Sequence, residues 1–166
     1  MFKLPDTKRT TELIMKTKSD SGISGPELAK AHMDLGMLLA EHMDIDADDT
    51  TVVAVMRGGL FFAEGMYFQL GCKFMTYDPK KEVFKRPKTK NVIIVDSVIN
   101  SGKTIRKIAD DNMLIACCVI NEKAVPHFDR QLYTARVSEN SYVGAEVREQ
   151  KGAVGPDTTM RLFNQL

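Results

Sequence analysis

The sequence predicts an α/β fold, a mainly parallel sheet flanked by helices, in a single domain over residues 1–166. Three observations carry that expectation. Residues 51–56, 92–95 and 114–120 are short apolar runs without polar alternation, as strands covered on both faces require. Patterns with helical spacing separate the runs, and strands alternating with helices pair in parallel. Glycine-bearing turns follow the first two runs, at Arg57-Gly58-Gly59 and Ser101-Gly102.

In chain order, residues 1–23 read as polar and irregular. Ser24-Gly-Pro-Glu27 then has capping-box spacing with proline in the first turn, so a helix begins there. Leu28, Ala31, Leu35, Leu38 and Leu39 give it one apolar stripe, to about residue 42. His32 and His42 read as surface or boundary residues. Residues 44–49 are acidic but lack the glycine and terminal glutamate of a calcium loop, and read as a solvated connection. A strand over 51–56, a helix over 60–70 and a strand over 73–77 follow. Residues 78–90 carry two prolines and many basic side chains, which suits a mobile loop or hairpin, either a solvated connection or a lid over a polyanionic substrate. The last strands are read at 114–120 and 131–137.

Composition narrows the chemistry. The 23 basic and 22 acidic residues nearly cancel to +1, which marks neither a nucleic-acid-coating nor a membrane-surface protein. Small-molecule chemistry is the default expectation. Cys72, Cys117 and Cys118 lie in or beside apolar runs, without metal-ligand spacing or an even count, which favours reduced thiols and a cytoplasmic setting. The N-terminus has no apolar signal region, and no run approaches the ~20 apolar residues of a membrane span.

The most informative stretch is Asn91-Val-Ile-Ile-Val-Asp96-Ser-Val-Ile-Asn100-Ser-Gly-Lys-Thr104. It reads as a buried strand tipped by Asp96 that feeds a phosphate loop, with a helix opening at residues 104–108 whose positive end faces the same point. A carboxylate beside a phosphate repels it unless it meets a metal or sugar hydroxyls, so the combination points to a phosphorylated sugar. A Walker A loop is the competing pattern, because Ser97-x4-Gly102-Lys103-Thr104 misses it only at the first glycine. In open α/β sheets ligands gather at the carboxyl ends of strands, so Arg57-Gly58-Gly59 and the Asp96 loop face one crevice if their strands are neighbours. Glycines at 58 and 59 let backbone N–H groups approach a diphosphate, and Arg57 adds a fixed charge.

The run from Val95-Asp96 to Ser101-Gly102-Lys103-Thr104 resembles the ribose-phosphate signature of the type I phosphoribosyltransferases, and Met56-Arg-Gly-Gly-Leu60 resembles their pyrophosphate loop. Leu132-Tyr-Thr-Ala135 and Gly155-Pro-Asp157-Thr-Thr-Met-Arg161-Leu-Phe163 look like the strand that precedes the base site and the terminal segment of the uracil phosphoribosyltransferases. The resemblance spans roughly residues 12–166. It implies transfer of 5-phosphoribosyl from phosphoribosyl pyrophosphate (PRPP) to a base, uracil first, in nucleotide salvage. Carried over, it makes Asp96 and Arg57 the catalytic residues, and gives PRPP to Arg57, Gly58, Gly59, Asp96, Ser97, Val98, Ile99, Asn100, Ser101, Gly102, Lys103, Thr104 and Asp157. The base goes to Tyr142, Val143, Val154, Gly155, Pro156 and Asp157, with Mg²⁺ as cofactor near Asp157. PRPP and a nucleobase are the partners it implies, in a homodimer or larger homo-oligomer.

The chain departs from that pattern in places. Asp78 stands where the family carries a diphosphate-binding arginine, with Lys80, Lys81 and Arg86 nearby as substitutes. Between residues 142 and 155 the chain is longer and more charged than the family's turn. Asn100 and Lys103 lean toward the hypoxanthine and guanine enzymes. Three alternatives stay open: a purine phosphoribosyltransferase, a non-catalytic PRPP-binding regulator on the same fold, and a small P-loop kinase.

Overall fold

The fold is built around two buried strands that neighbour each other. In the computed structural model, which describes residues 1–140 and 143–166, β2 (Thr50–Val55) is buried at every position. It pairs in parallel with β4 (Asn91–Ile99) on one side and β3 (Lys73–Tyr77) on the other. β5 (Leu114–Asn121) and β6 (Leu132–Ser138) extend the sheet beyond β4, and the short β1 (Phe2–Lys3) closes that edge. The order is β1-β6-β5-β4-β2-β3, all parallel. The chain runs one way from β2 to β3 and the other way from β4 onward, so the topological switch lies between β2 and β4, where α/β sheets open a ligand crevice.

Both faces of the sheet are covered, which is why its strands do not alternate. α1 (Lys8–Thr17), α2 (Gly25–Ala40) and α3 (Leu60–Leu70) are the longer helices. One face packs Val52, Ala54, Ile93, Val95 and Ala116 against Leu35, Leu39, Phe62 and Met66 of α2 and α3. The other packs Val53, Ile94, Ile115 and Ile120 against Ile105 and Phe128. α2 and α3 cross very closely. A Cβ on Gly36 would lie 2.1 Å from Phe62 O, and one on Gly65 would lie 2.0 Å from Met33 O, so each glycine admits the other helix's backbone.

Several expectations are corrected. Residues 1–23 are not irregular: they hold β1 and α1, whose N-cap Thr7 accepts from Thr10 N at 3.1 Å. Only Leu13 and Ile14 of α1 pack on the core, too few to give an apolar stripe in sequence. β4 does not end at Asp96. Its pairing with β2 stops at Val95, but β5 continues beside it as far as Ile99, so Asp96 sits where one neighbour has ended and the other goes on. The helix after the loop is the short α4 (Lys103–Arg106). His32 is buried rather than superficial, with Nδ1 2.9 Å from Leu28 O. Residues 78–90 form no hairpin; they hold turns at the start and irregular backbone after them. α3 spans 60–70 and β3 spans 73–77 as expected; a 3-10 helix at Glu122–His127, which the sequence pattern does not predict, links β5 to β6. Beyond the sheet, β7 (Val143–Ala145) and β8 (Val154–Pro156) pair in parallel and lead into α5 (Thr158–Leu162). No helix among the described residues is long and apolar enough to cross a membrane.

Candidate functional site

A cleft of about 910 Å³ opens at the carboxyl ends of β2, β4, β5 and β6, roofed by the β7–β8 pair and α5. The turn after β2 forms one wall through Met56, Arg57 and Gly58. The Met56–Arg57 peptide bond is cis. Gly59 beneath it has no room for a side chain, since a Cβ would lie 2.4 Å from Val95 O and 2.8 Å from Val55 O. Gly58 meets only side chains: a Cβ there would lie 3.0 Å from Thr159 Oγ1 and 3.4 Å from Asp96 Oδ1. The turn after β2 and the Asp96 carboxylate are therefore in direct juxtaposition, as the crevice argument requires.

Asp96 is half-buried, and its Oδ1 accepts from Ser97 N at 2.7 Å. Burial pushes its pKa up to about 7, against the opposing pull of the Ser97 and Val98 N–H groups. No ion pair offsets its charge among the described residues. Arg57 is exposed at the cleft wall. Its guanidinium lies 5.0 Å from the centre of the Phe163 ring and donates to Gln165 Oε1 at 3.0 Å.

The residues read as the phosphate loop divide. Ser97, Val98, Asn100 and Thr104 line the cleft. Ser101 and Lys103 are exposed but do not line it, and the Ile99 side chain is buried in the core with Ile105 and Phe128. Gly102 adopts φ +67, and a Cβ there would meet the Phe128 ring at 2.6 Å, so the turn needs glycine twice over.

The C-terminal candidates divide as well. Pro156 and Asp157 line the cleft, whereas Gly155 is buried away from it and Val154 is exposed outside it. Tyr142 lies outside the described residues, and Val143 is described by its β7 backbone. Asp157 is the N-cap of α5, with Oδ1 accepting from Met160 N at 2.8 Å. Arg161 is buried and acts as a clamp, donating to Ile23 O at 2.7 Å, Lys18 O at 3.0 Å and Ser21 Oγ at 3.2 Å. It ties α5 to the segment between α1 and α2.

At the start of the 78–90 segment, Asp78 is committed to its own turn. Oδ1 accepts from Lys80 N at 3.0 Å and Oδ2 pairs with Lys81 Nζ at 3.4 Å, holding the carboxyl below its ordinary pKa, with the Lys80 N–H the leading cause. Lys80 and Lys81 line the cleft, but Arg86 is ion-paired to Asp110 and is not among the lining residues.

Sequence reasoning missed His32, Asn121 and Arg136, which also line the cleft. Desolvation lowers the His32 pKa to about 4, so the ring is neutral and gives Nδ1–H to Leu28 O. Arg136 carried a readable signal, an arginine between alanine and valine in an otherwise mostly apolar strand.

Magnesium fits the site only loosely. Among the described residues no three His, Cys, Asp or Glu side chains cluster as a metal cage. Four carboxylates line the cleft, Asp78, Asp96, Glu146 and Asp157; Asp78 is paired with Lys81, and Asp96 has no cationic partner among the described residues. That set suits an ion held mainly by a ligand's phosphates and by water.

No protein-family model matches the sequence, and no curated protein matches it. Solved structures do. The AQ2163 protein from Aquifex aeolicus superposes with a TM-score of 0.65 at 16% identity, covering 84% of this chain and 90% of that one. The orotate phosphoribosyltransferase from Aeropyrum pernix gives 0.50 at 19% identity, covering 65% and 70%. The purine phosphoribosyltransferase from Pyrococcus horikoshii Ot3 gives 0.50 at 25% identity, covering 64% and 83%. With the strand order, the switch point and the cleft in place, these likenesses identify the chain as having the type I phosphoribosyltransferase fold.

Proposed function

We propose that this protein is a nucleobase phosphoribosyltransferase, joining the ribosyl C1 of PRPP to a base nitrogen with release of pyrophosphate. The observation that carries the reading is the meeting, in one cleft at the switch point, of a glycine turn, a half-buried carboxylate and a small-residue loop. In this reading the turn at Arg57, Gly58 and Gly59 holds the diphosphate through backbone N–H groups and the guanidinium. Asp96 accepts from the ribose hydroxyls, and the loop from Ser101 to Thr104 receives the 5-phosphate. Asp157 and Asp96 would hold magnesium, which when bound neutralises charge on the departing diphosphate. No protein nucleophile is required. Asp96 orients the sugar while Arg57 and the turn stabilise charge that grows on the leaving group, so catalysis is positioning plus electrostatics.

Uracil is the first candidate base, supported by the resemblance of the terminal segment. A purine base is the second reading, supported by the 25% identity to the Pyrococcus horikoshii purine enzyme. The test is incubation with PRPP and magnesium plus, separately, uracil, hypoxanthine, guanine, xanthine, adenine and orotate, with products resolved by chromatography. A single nucleoside monophosphate is the expected result. No product in any tube, with PRPP still bound by calorimetry, would favour a regulator instead.

A further inference from the structure

Two buried side-chain polar atoms among the described residues have no hydrogen-bond partner, and both belong to residues lining the same cleft: Ser97 Oγ and Arg136 Nε. Buried polar groups are nearly always satisfied, so each of these is a group that the protein's own described residues leave to be paired from the cleft. Arg136 is the more demanding of the two. Its guanidinium carries five donors and no acceptor, and among the described residues none of them reaches a hydrogen-bond partner or a carboxylate. Arg161, the other cleft-lining arginine with buried donors, has them spent on backbone carbonyls and the Ser21 hydroxyl. Burial alone therefore does not leave an arginine empty in this protein.

Position says what kind of acceptor suits Arg136. Val98, Val119 and Arg136 are paired in register across β4, β5 and β6, and all three line the cleft. The next row, Ile99, Ile120 and Val137, turns into the core instead. The cleft floor beyond Asp96 is thus two valine side chains wide and ends in a guanidinium. Two strand spacings place the Arg136 backbone about 10 Å from that of Val98. The phosphate-holding groups lie toward β2 and the loop after β4, on the opposite side of this floor. An apolar floor beside the ribose-binding carboxylate suits the face of a flat ring, and a donor-only end suits an oxygen on that ring's edge.

We infer that Arg136 is the specificity-determining residue for the base, accepting into the cleft rings that present an exocyclic oxygen and rejecting those that present an amino group at the same position. The inference rests on the phosphoribosyltransferase reading and narrows its substrate class to oxo-bases, uracil and the 6-oxopurines among them. An amino group against Arg136 sets donor against donor and leaves the buried Nε–H without an acceptor. A charge-assisted hydrogen bond won or lost in this way corresponds to about 30-fold in affinity.

Binding of matched nucleotide pairs tests it without turnover. UMP and CMP differ in oxygen against amine, as do IMP and AMP; ribose 5-phosphate reports the sugar-phosphate site alone. Calorimetry on the wild-type protein is expected to favour the oxo member of at least one pair by about 30-fold. Arg136→Met is expected to bring that pair within threefold while ribose 5-phosphate affinity stays within twofold. Arg136→Gln, whose amide can present either end, is the second variant and is expected to bind the amino member more tightly than wild type does. No discrimination in the wild type, or a ratio that survives both substitutions, overturns the inference. A loss of ribose 5-phosphate affinity in both variants also overturns it, by making Arg136 a phosphate residue. If wild type binds neither ribose 5-phosphate nor PRPP, the phosphoribosyltransferase reading itself falls and takes the inference with it.

Discussion

At the scale of single residues, Asp96 and the paired glycines beside it set the behaviour of the cleft. Because burial raises the Asp96 pKa to about 7, the folded protein holds a proton that the unfolded chain releases near pH 4. Stability therefore falls as pH rises from about 4 to about 7, and Asp96→Asn is expected to raise the melting temperature at pH 8 by a few degrees and leave it unchanged at pH 4. The same substitution should cut turnover at least 100-fold, since an amide accepts the ribose hydroxyls poorly, and unchanged turnover would remove Asp96 from the ribose site. In the wild type, kcat/KM should rise with pH through a midpoint near 7 as the carboxylate forms. The two glycines separate folding from function. Gly59→Ala drives a Cβ into two backbone carbonyls and should cost about 3 kcal/mol in a denaturant titration. Gly58→Ala meets the Thr159 hydroxyl and the Asp96 carboxylate, both on side chains, so its stability should change by less than about 1 kcal/mol while PRPP affinity drops.

At the scale of elements, the site is held by how closely α2 and α3 pack and by how α5 is tethered. α3 begins directly after the Arg57 turn, so its position fixes that of the turn. Gly65→Ala at the α2–α3 crossing should destabilise by about 3 kcal/mol, because the obstruction is the Met33 carbonyl and backbone cannot swing aside. Gly71→Ala is the control. It sits at φ +64 with open space around it and should cost only about 1 kcal/mol through backbone strain. α2 was readable in sequence from its apolar stripe behind a capping-box start, and α3 from an apolar segment of helical length between the Gly59 turn and Gly71. α1 was not, since a helix that packs through Leu13 and Ile14 shows its identity mainly in the Thr7 cap. The β7–β8 pair was equally hidden: three-residue strands have no periodicity to read.

At the scale of the whole molecule, the charge balance around the cleft mouth is the adjustable feature. Lys80 and Lys81 face the cleft, but Asp78 ties up its own turn and cancels part of their field. Asp78→Arg is expected to tighten pyrophosphate binding about 3–10-fold at low salt, with the gain shrinking at 0.3 M salt as screening grows. An affinity that does not change with salt would show that Asp78 acts through the turn's shape instead of its charge.

By itself the sequence determined the class of fold, since unalternating β-branched runs can be satisfied only by strands buried on both faces. It also singled out Arg57, Gly58, Gly59 and Asp96, whose residue types have few uses beside apolar strands. Tertiary structure alone decided that β2 and β4 are neighbours, which is what brings the Gly58 turn against the Asp96 carboxylate. It also decided where β4 ends, because a strand stops when its partners stop, and β5 carries it to Ile99. His32 and Arg136 entered the cleft the same way. The burial of His32 and the enclosure of the Arg136 Nε depend on what the rest of the chain lays over them, and no local pattern encodes that.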